Sequence, residues 1–479
     1  MEELIRIRNL CTEDSNKAAL YNFRLQVFSG ELLALVGLNG SGKSTLADVL
    51  TGGIGVKRGD IFLRGAHVKL EGQRVSRLFF EKRGIYTIKN ENRLIGNLNV
   101  SENMSISLKR RMRDLLKNPG RKGTLLDLTL KEFLPLINPQ SNALDLPPAI
   151  HWEIGILKAY IEGARLIVLD RIIEFCSSNE RRELFRLINI LKTKGTAFVV
   201  SFNKTASFLR EFDRIGIVRN GGLSGILHPS DYDSKTVANL IIGREYSEGI
   251  SIRKESPVPG RPLLEVHELS PGRSSEDLDL SLHSAEILGI YDPVQDRSEE
   301  LINVLSGSGG STRIAVDGRA VEISETYHAV RAGIGIVSEK IFDTLFFMDL
   351  TAGENLAISA ARRSAGPGGN IPSSADRYIR STYLAHTGIP AAAAALPVKY
   401  IEKDYLFLLA IHMRILSGAR IFILENPVRR ADLLTHNMIY QRIESLRKSG
   451  TGVIFISTDF TELDGFCDRI VQYDKIGAL

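Results

Sequence analysis

Short apolar runs that alternate with polar residues and end in turn signals occur early in the chain, as in Ile61-Phe62-Leu63-Arg64-Gly65, and again at Ile314-Ala315-Val316-Asp317-Gly318. Alternation of this kind predicts half-buried strands. Other runs are apolar almost throughout, at Leu166 to Leu169, Thr196 to Val200 and Gly452 to Ile456. A strand with no polar face must be covered on both sides, so these runs predict the interior of a parallel sheet. Stretches of helical period such as Glu180 to Leu191 separate them. The alternation predicts an α/β core with a mostly parallel sheet.

The plan is written twice. Gly30-Glu31-Leu32-Leu33-Ala34-Leu35-Val36 returns as Ala285-Glu286-Ile287-Leu288-Gly289-Ile290-Tyr291, and Val100-Ser101-Glu102-Asn103 returns as Ala352-Gly353-Glu354-Asn355. Ala164-Arg165-Leu166-Ile167-Val168-Leu169-Asp170 returns as Ala419-Arg420-Ile421-Phe422-Ile423-Leu424-Glu425, and Phe212-Asp213-Arg214-Ile215 as Cys467-Asp468-Arg469-Ile470. One order at an offset of 252 to 255 residues indicates a tandem duplication. The expected domains are residues 1–248 and 262–479, joined by a short linker at 249–261 that contains Ser256-Pro257-Val258-Pro259-Gly260. Two stretches interrupt the α/β pattern at equivalent places. They are the basic run from Lys109-Arg110-Arg111-Met112-Arg113 to Arg121-Lys122, and Arg362 to Gly369 continuing to the alanine run Ala391 to Ala395. Each is expected to be a helical insertion, with a solvated charged face or a docking surface.

Between the apolar run Leu32 to Val36 and the helical segment Leu46-Ala47-Asp48-Val49-Leu50 stands Gly37-Leu38-Asn39-Gly40-Ser41-Gly42-Lys43-Ser44-Thr45. This fills every fixed position of the phosphate-loop motif G-x-x-x-x-G-K-[ST], in strand-to-helix context. Glycines let successive N–H groups curl around an anion, and the helix N-terminus adds its positive dipole end. Lys43 is expected on the β- and γ-phosphates and Ser44 on Mg²⁺.

Composition narrows the setting. The net charge of +5 is spread over 479 residues that include 56 acidic ones, which is no nucleic-acid footprint. Cys11, Cys176 and Cys467 lie too far apart for a metal or redox motif and fit a reducing compartment. The opening Met1-Glu2-Glu3-Leu4-Ile5-Arg6 lacks the form of a secretion signal, and no apolar run approaches the ~20 residues that cross a bilayer. A cytoplasmic protein is expected, with no membrane span of its own.

With these landmarks the chain resembles the tandem ATP-binding subunit of ABC importers, of the monosaccharide (ribose, galactose, xylose) type. The likeness covers nearly the whole chain. It is also carried by Gly84-Ile85-Tyr86-Thr87-Ile88-Lys89-Asn90-Glu91 leading into Leu98-Asn99-Val100-Ser101-Glu102-Asn103, by Ile241-Ile242-Gly243-Arg244-Glu245, and by Ala332-Gly333-Ile334-Gly335-Ile336-Val337-Ser338-Glu339. The resemblance implies two tandem ABC-type nucleotide-binding domains, each a phosphate-loop NTPase sheet with an antiparallel β subdomain and a helical insertion. It implies ATP and Mg²⁺ as cofactors, transmembrane permease subunits as partners, indirectly a solute-binding protein, and a peripheral place at the cytoplasmic face of the cell membrane. In that family two cassettes clamp ATP between the loop of one and the L-S-G-G-Q signature of the other. The carry-over assigns nucleotide binding to Gly37, Leu38, Asn39, Gly40, Ser41, Gly42, Lys43, Ser44, Thr45 and Asn90, and Mg²⁺ to Ser44 and Asp170.

Several family positions are altered. The water-polarising glutamate after Asp170 is Arg171, which stays charged and cannot accept a proton. Glu174 is close in sequence but is expected to be a solvated loop residue. The γ-phosphate-sensing histidine is expected at Phe202, Asn90 replaces the loop glutamine, and the adenine-stacking aromatic falls at Asp14, with Tyr21 the nearest ring. The signature of the second copy reads Ile401-Glu402-Lys403-Asp404-Tyr405, bringing carboxylates toward phosphate, and that of the first reads Leu146-Pro147-Pro148-Ala149-Ile150, where prolines remove N–H donors. In place of a second phosphate loop stands Tyr291-Asp292-Pro293-Val294-Gln295-Asp296-Arg297-Ser298, without glycine. Asn426 follows the second strand-end acid, Glu425, and Asp459 is expected at the second switch. These changes favour ATP binding in the first copy over hydrolysis and keep open a second reading, a non-hydrolysing nucleotide-dependent regulator or scaffold. The soluble tandem cassettes that act on ribosomes are disfavoured, because the linker is neither long nor strongly basic.

Overall fold

A computed structural model describes residues 2–12, 19–70, 76–91, 94–106, 128–203, 207–243, 261–269, 278–293, 296–308, 313–364 and 372–472. The basic run from Lys109 to Lys122, Asp14, residues 365–369 and all of the expected linker except Arg261 lie outside them. The chain divides into two compact units, Met1–Ser247 and Glu248–Leu479.

In the first unit, β1 (Glu3–Thr12), β2 (Phe23–Phe28), β4 (Val56–Leu63) and β5 (Ala66–Val68) form an antiparallel sheet in the order β2-β1-β4-β5, while β3 (Leu32–Val36) belongs to a second sheet. That sheet also contains β6 (Ile85–Lys89), β7 (Leu166–Asp170), β8 (Ala197–Phe202), β9 (Arg214–Arg219) and β10 (Gly222–Leu227), in the order β10-β9-β3-β8-β7-β6. All its neighbours pair in parallel except β10 with β9. Successive residues of β3 and β7 enter opposite cores. Leu32, Ala34, Ile167 and Leu169 pack on one face, and Leu33, Leu35, Leu166 and Val168 on the other. This two-sided burial accounts for the absence of polar positions in those runs.

The second unit repeats the plan. β11 (Pro262–Leu269), β12 (Leu278–His283), β14 (Arg313–Val316) and β15 (Arg319–Ala320) make the antiparallel sheet β12-β11-β14-β15. β13 (Ile287–Tyr291), β16 (Ile334–Val337), β17 (Ile421–Glu425), β18 (Gly452–Ser457) and β19 (Arg469–Gln472) make the parallel sheet β16-β17-β18-β13-β19. Both orders match the first unit strand for strand, except that β10 has no counterpart among the described residues, so the duplication seen in sequence is a duplication of topology.

Helices cover the parallel sheets and reflect local sequence. Helix Ser178–Thr193 starts with a capping box in which Ser177 and Glu180 satisfy each other's backbone N–H groups. Helix Pro148–Ile161 begins with Pro148 at a position where the missing N–H costs nothing, and buries Trp152, Ile156 and Leu157. In the second unit the end of helix Ala352–Ser364 and the helices Ser373–Tyr378 and Ala391–Ala394 occupy the stretch expected to be a helical insertion. No helix among the described residues is long and apolar enough to cross a membrane.

Candidate nucleotide site

β3 ends at Val36, and the chain turns through the glycine-rich loop into helix Lys43–Leu50. Gly42 has φ +108°, a conformation side chains rarely take, and a Cβ there would meet Leu20 at 2.9 Å. At Gly37 a Cβ would lie 2.2 Å from the Val218 carbonyl oxygen. The loop is anchored from outside by the Gly221 N–H, which donates to the Ser41 carbonyl at 2.9 Å. Lys43 is buried, and its ammonium lies within the loop, donating to the carbonyls of Gly37 (2.7 Å) and Leu38 (2.8 Å) and to Ser41 Oγ (3.1 Å).

The strand end at Asp170 faces this helix start. Ser44 Oγ donates to Asp170 Oδ1 at 3.1 Å, and Ser201 Oγ, in register on β8, donates to the same oxygen at 2.6 Å. The structure therefore brings Ser44, beside Lys43 in the chain, against Asp170. A buried carboxylate beside a hydroxyl is a hard oxygen donor set of the kind Mg²⁺ takes when phosphate and water complete its shell. No group of three or more His, Cys, Asp or Glu that could hold a metal unaided occurs among the described residues. Asn90 follows β6 half-buried.

Four participants were not visible in the sequence. Lys89 lies in register with Asp170 on the neighbouring strand and forms an ion pair with Asp48, one helical turn beyond Ser44. Ser201 orients Asp170. Phe202 does not stand at the switch: its ring is 1% exposed and packs against Phe208 and Phe212 in the core. The next residue, Asn203, reaches the loop, its Nδ2 donating to Asn39 Oδ1 at 3.1 Å. Strand register explains the one-residue difference, because neighbouring side chains on a strand point to opposite faces. The second unit agrees. The N–H after each strand-end acid bonds to Ser201 in one unit (Arg171, 3.1 Å) and to Ile456 in the other (Asn426, 2.8 Å), which aligns Asn203 with Thr458.

Arg171 adopts φ +60°, and Asn426, its counterpart, φ +48°. The Arg171 Nε donates to Glu174 Oε2 at 2.8 Å. Glu174 is not solvated as its loop position suggested. It sits on the short 3₁₀ turn Ile173–Phe175 with a side chain 2% exposed, so the carboxylate is buried and charge-paired. Tyr21 is 66% exposed, with the Arg58 guanidinium 6.0 Å from its ring centroid, so it is no core residue.

In the second unit the corresponding place is built from carboxylates. Asp292, buried at the end of β13, accepts the Ser298 N–H at 2.8 Å in the first turn of helix Asp296–Ser306. A side-chain anion thus takes the helix N-terminus that a phosphate would need. Asp292→Ala is expected to destabilise the second unit by roughly 1–2 kcal/mol without creating nucleotide binding, as read by thermal melting with and without ATP. Glu425 bonds to Ser338 and lies 3.6 Å from Lys340, and Asp459 caps helix Phe460–Leu463 by accepting the Thr461 N–H at 3.0 Å. Asp459 is thus a cap, and Thr458 holds the switch position. The two signature segments start helices without side-chain caps: Pro147 precedes Pro148–Ile161, and Glu402 precedes Lys403–Ser417 with Asp404 buried in its first turn.

Residues 20–170 match the family model described as ABC transporter. The chain is 28% identical to the ribose import ATP-binding protein RbsA 2 of Burkholderia pseudomallei (strain 1710b), over 98% of this chain and 91% of that protein. It is 29% identical to the ribose import ATP-binding protein RbsA of Chelativorans sp. (strain BNC1), over 95% and 88%. A solved nucleotide-free ATP-binding cassette from an ABC transporter is 19% identical, covers 50% of this chain and 95% of its own, and gives a TM-score of 0.41. Residues 20–170 are thus an ABC transporter domain, and the second unit repeats its sheet plan without the phosphate loop.

Proposed function

We propose that the chain is an ATP-binding subunit of a sugar-type ABC importer that holds Mg·ATP in its first unit, works with transmembrane permease subunits at the cytoplasmic face, and turns ATP over weakly or not at all. The observation that carries this reading is the joining of Lys43, Ser44 and Asp170 in one hydrogen-bonded corner, next to an Arg171–Glu174 pair where a base would be needed. The loop N–H groups and the Lys43 ammonium bind and orient the phosphates. Ser44 would hold Mg²⁺ and Asp170 its water, and the ion when bound supplies charge neutralisation at the β- and γ-oxygens. The second unit, with Asp292 on its helix start, acts as a partner cassette rather than a second ATP seat.

Arg171 cannot take a proton, and the Glu174 carboxylate is engaged by Arg171 and buried, so neither activates water. This pairing favours a second reading, a regulator that signals ATP occupancy without hydrolysis. The test is ATP affinity and phosphate release by the purified chain, alone and with a co-expressed permease. Binding with release at background supports the reading, and copurification with a polytopic membrane subunit supports the importer over the regulator. Robust release that disappears in Lys43→Ala would overturn the claim of weak turnover.

A further inference from the structure

A cavity of about 570 Å³ opens in the first unit between residues 134–137, the start of helix Pro148–Ile161 and the first turns of helix Ser178–Thr193. Small-molecule sites typically measure ~300–1,000 Å³. The wall is largely apolar, formed by Leu134, Pro135, Leu136, Ile137, Ala149 and Ile150. Leu136 stands at the mouth, 92% exposed.

Glu153 also lines this cavity although the residue is only 3% exposed, and among the described residues no hydrogen bond or ion pair engages its carboxyl. The other charged side chains of the wall are committed. Arg186 donates to Glu183 at 2.8 Å and to the Phe133 carbonyl at 3.1 Å, Arg182 donates to Asn179 at 3.0 Å, and Glu180 accepts the Ser177 N–H at 2.7 Å. Burial raises the Glu153 pKa to about 7; Glu183 and Glu180 push the same way and Arg186 opposes them. The group left to a ligand is therefore a carboxyl inside an apolar chamber. A wholly apolar occupant would leave it without a partner, and an anion would meet like charge. A cation would supply the missing donor and gain a charge-assisted bond.

We propose that this cavity binds a small cationic amphiphile, an amine or guanidinium on an apolar body, with its charge on the Glu153 carboxyl. The site uses none of the phosphate-loop residues, although its wall includes Pro147, Ala149 and Ile150 of the segment at the first unit's signature position.

The test is calorimetry on the full chain with 4-phenylbutylamine, 4-phenylbutanol and 4-phenylbutyrate as probes. The amine is expected to bind at least about tenfold more tightly than the alcohol or the acid, the equivalent of one charge-assisted bond. Glu153→Gln, checked for folding by thermal melting, should bring the amine to the level of the alcohol and leave the alcohol unchanged. Leu136→Lys, at an exposed position that cannot unfold the chain, should weaken the amine selectively. Lys43→Ala should keep amine binding while ATP binding weakens roughly 10- to 100-fold, which separates this site from the nucleotide seat. Equal affinity for amine and alcohol in the wild type, no amine binding at millimolar concentration, or amine binding unaffected by Glu153→Gln would each overturn the proposal.

Discussion

Lys43→Ala is expected to lower ATP affinity by roughly 10- to 100-fold while leaving the fold intact. A hydrogen bond to a charged group contributes ~1.5–3 kcal/mol, and each 1.4 kcal/mol is tenfold in affinity. The Lys43 ammonium is buried within the loop, so little water screens its attraction for phosphate. The stability change should be small, because losing three bonds to the Gly37 and Leu38 carbonyls and Ser41 Oγ is offset by no longer burying a charge. Titration with a fluorescent ATP analogue, beside a thermal melt, reads both quantities. An unchanged affinity would place ATP outside the loop altogether.

Arg171→Glu would be the natural attempt to restore a catalytic base, yet the structure predicts that this single change first damages the protein. It removes the positive charge paired with the buried Glu174 carboxylate and sets a second carboxylate beside it. Breaking a fully buried pair costs ~3–5 kcal/mol; because the Arg171 side chain is 31% exposed, roughly 2–3 kcal/mol is expected here. The double variant Arg171→Glu/Glu174→Gln removes that repulsion and should recover most of the melting temperature. Its phosphate release is nevertheless expected to stay near background, because an amide, Asn203, remains on the loop where a histidine would be needed. A gain of ~10² or more in the double variant would instead show that Arg171 alone silences the site.

The loop residues and Asp170 were legible because a contiguous motif fixes its own geometry: glycine positions, strand before, helix after. The buried strands of the parallel sheets, and one alternating strand in each unit, were legible for a similar reason, since alternation or its absence records which faces are covered. Phe202 and Asn203 were not separable by eye. Which of them meets the loop depends on where β8 begins relative to β7, and a shift of one residue exchanges core and site. Glu174 looked like a solvated loop acid because nothing local signals that a 3₁₀ turn folds it inward beneath Arg171. Lys89 and Asp48 are 41 residues apart, and only the pairing of β6 with β7 brings that lysine over the loop helix.

By itself, then, the sequence determined the duplicated order of strands and helices, the phosphate loop, and the loss of that loop in the second copy, all of which depend on residue types at short spacings. The tertiary structure decided which groups meet. It set Asn203 rather than Phe202 on the loop, closed Arg171 onto Glu174, placed Asp292 on the helix start of the second unit, and left the Glu153 carboxyl facing an apolar cavity. Burial, strand register and charge pairing come from segments far apart in the chain, and no local pattern encodes them.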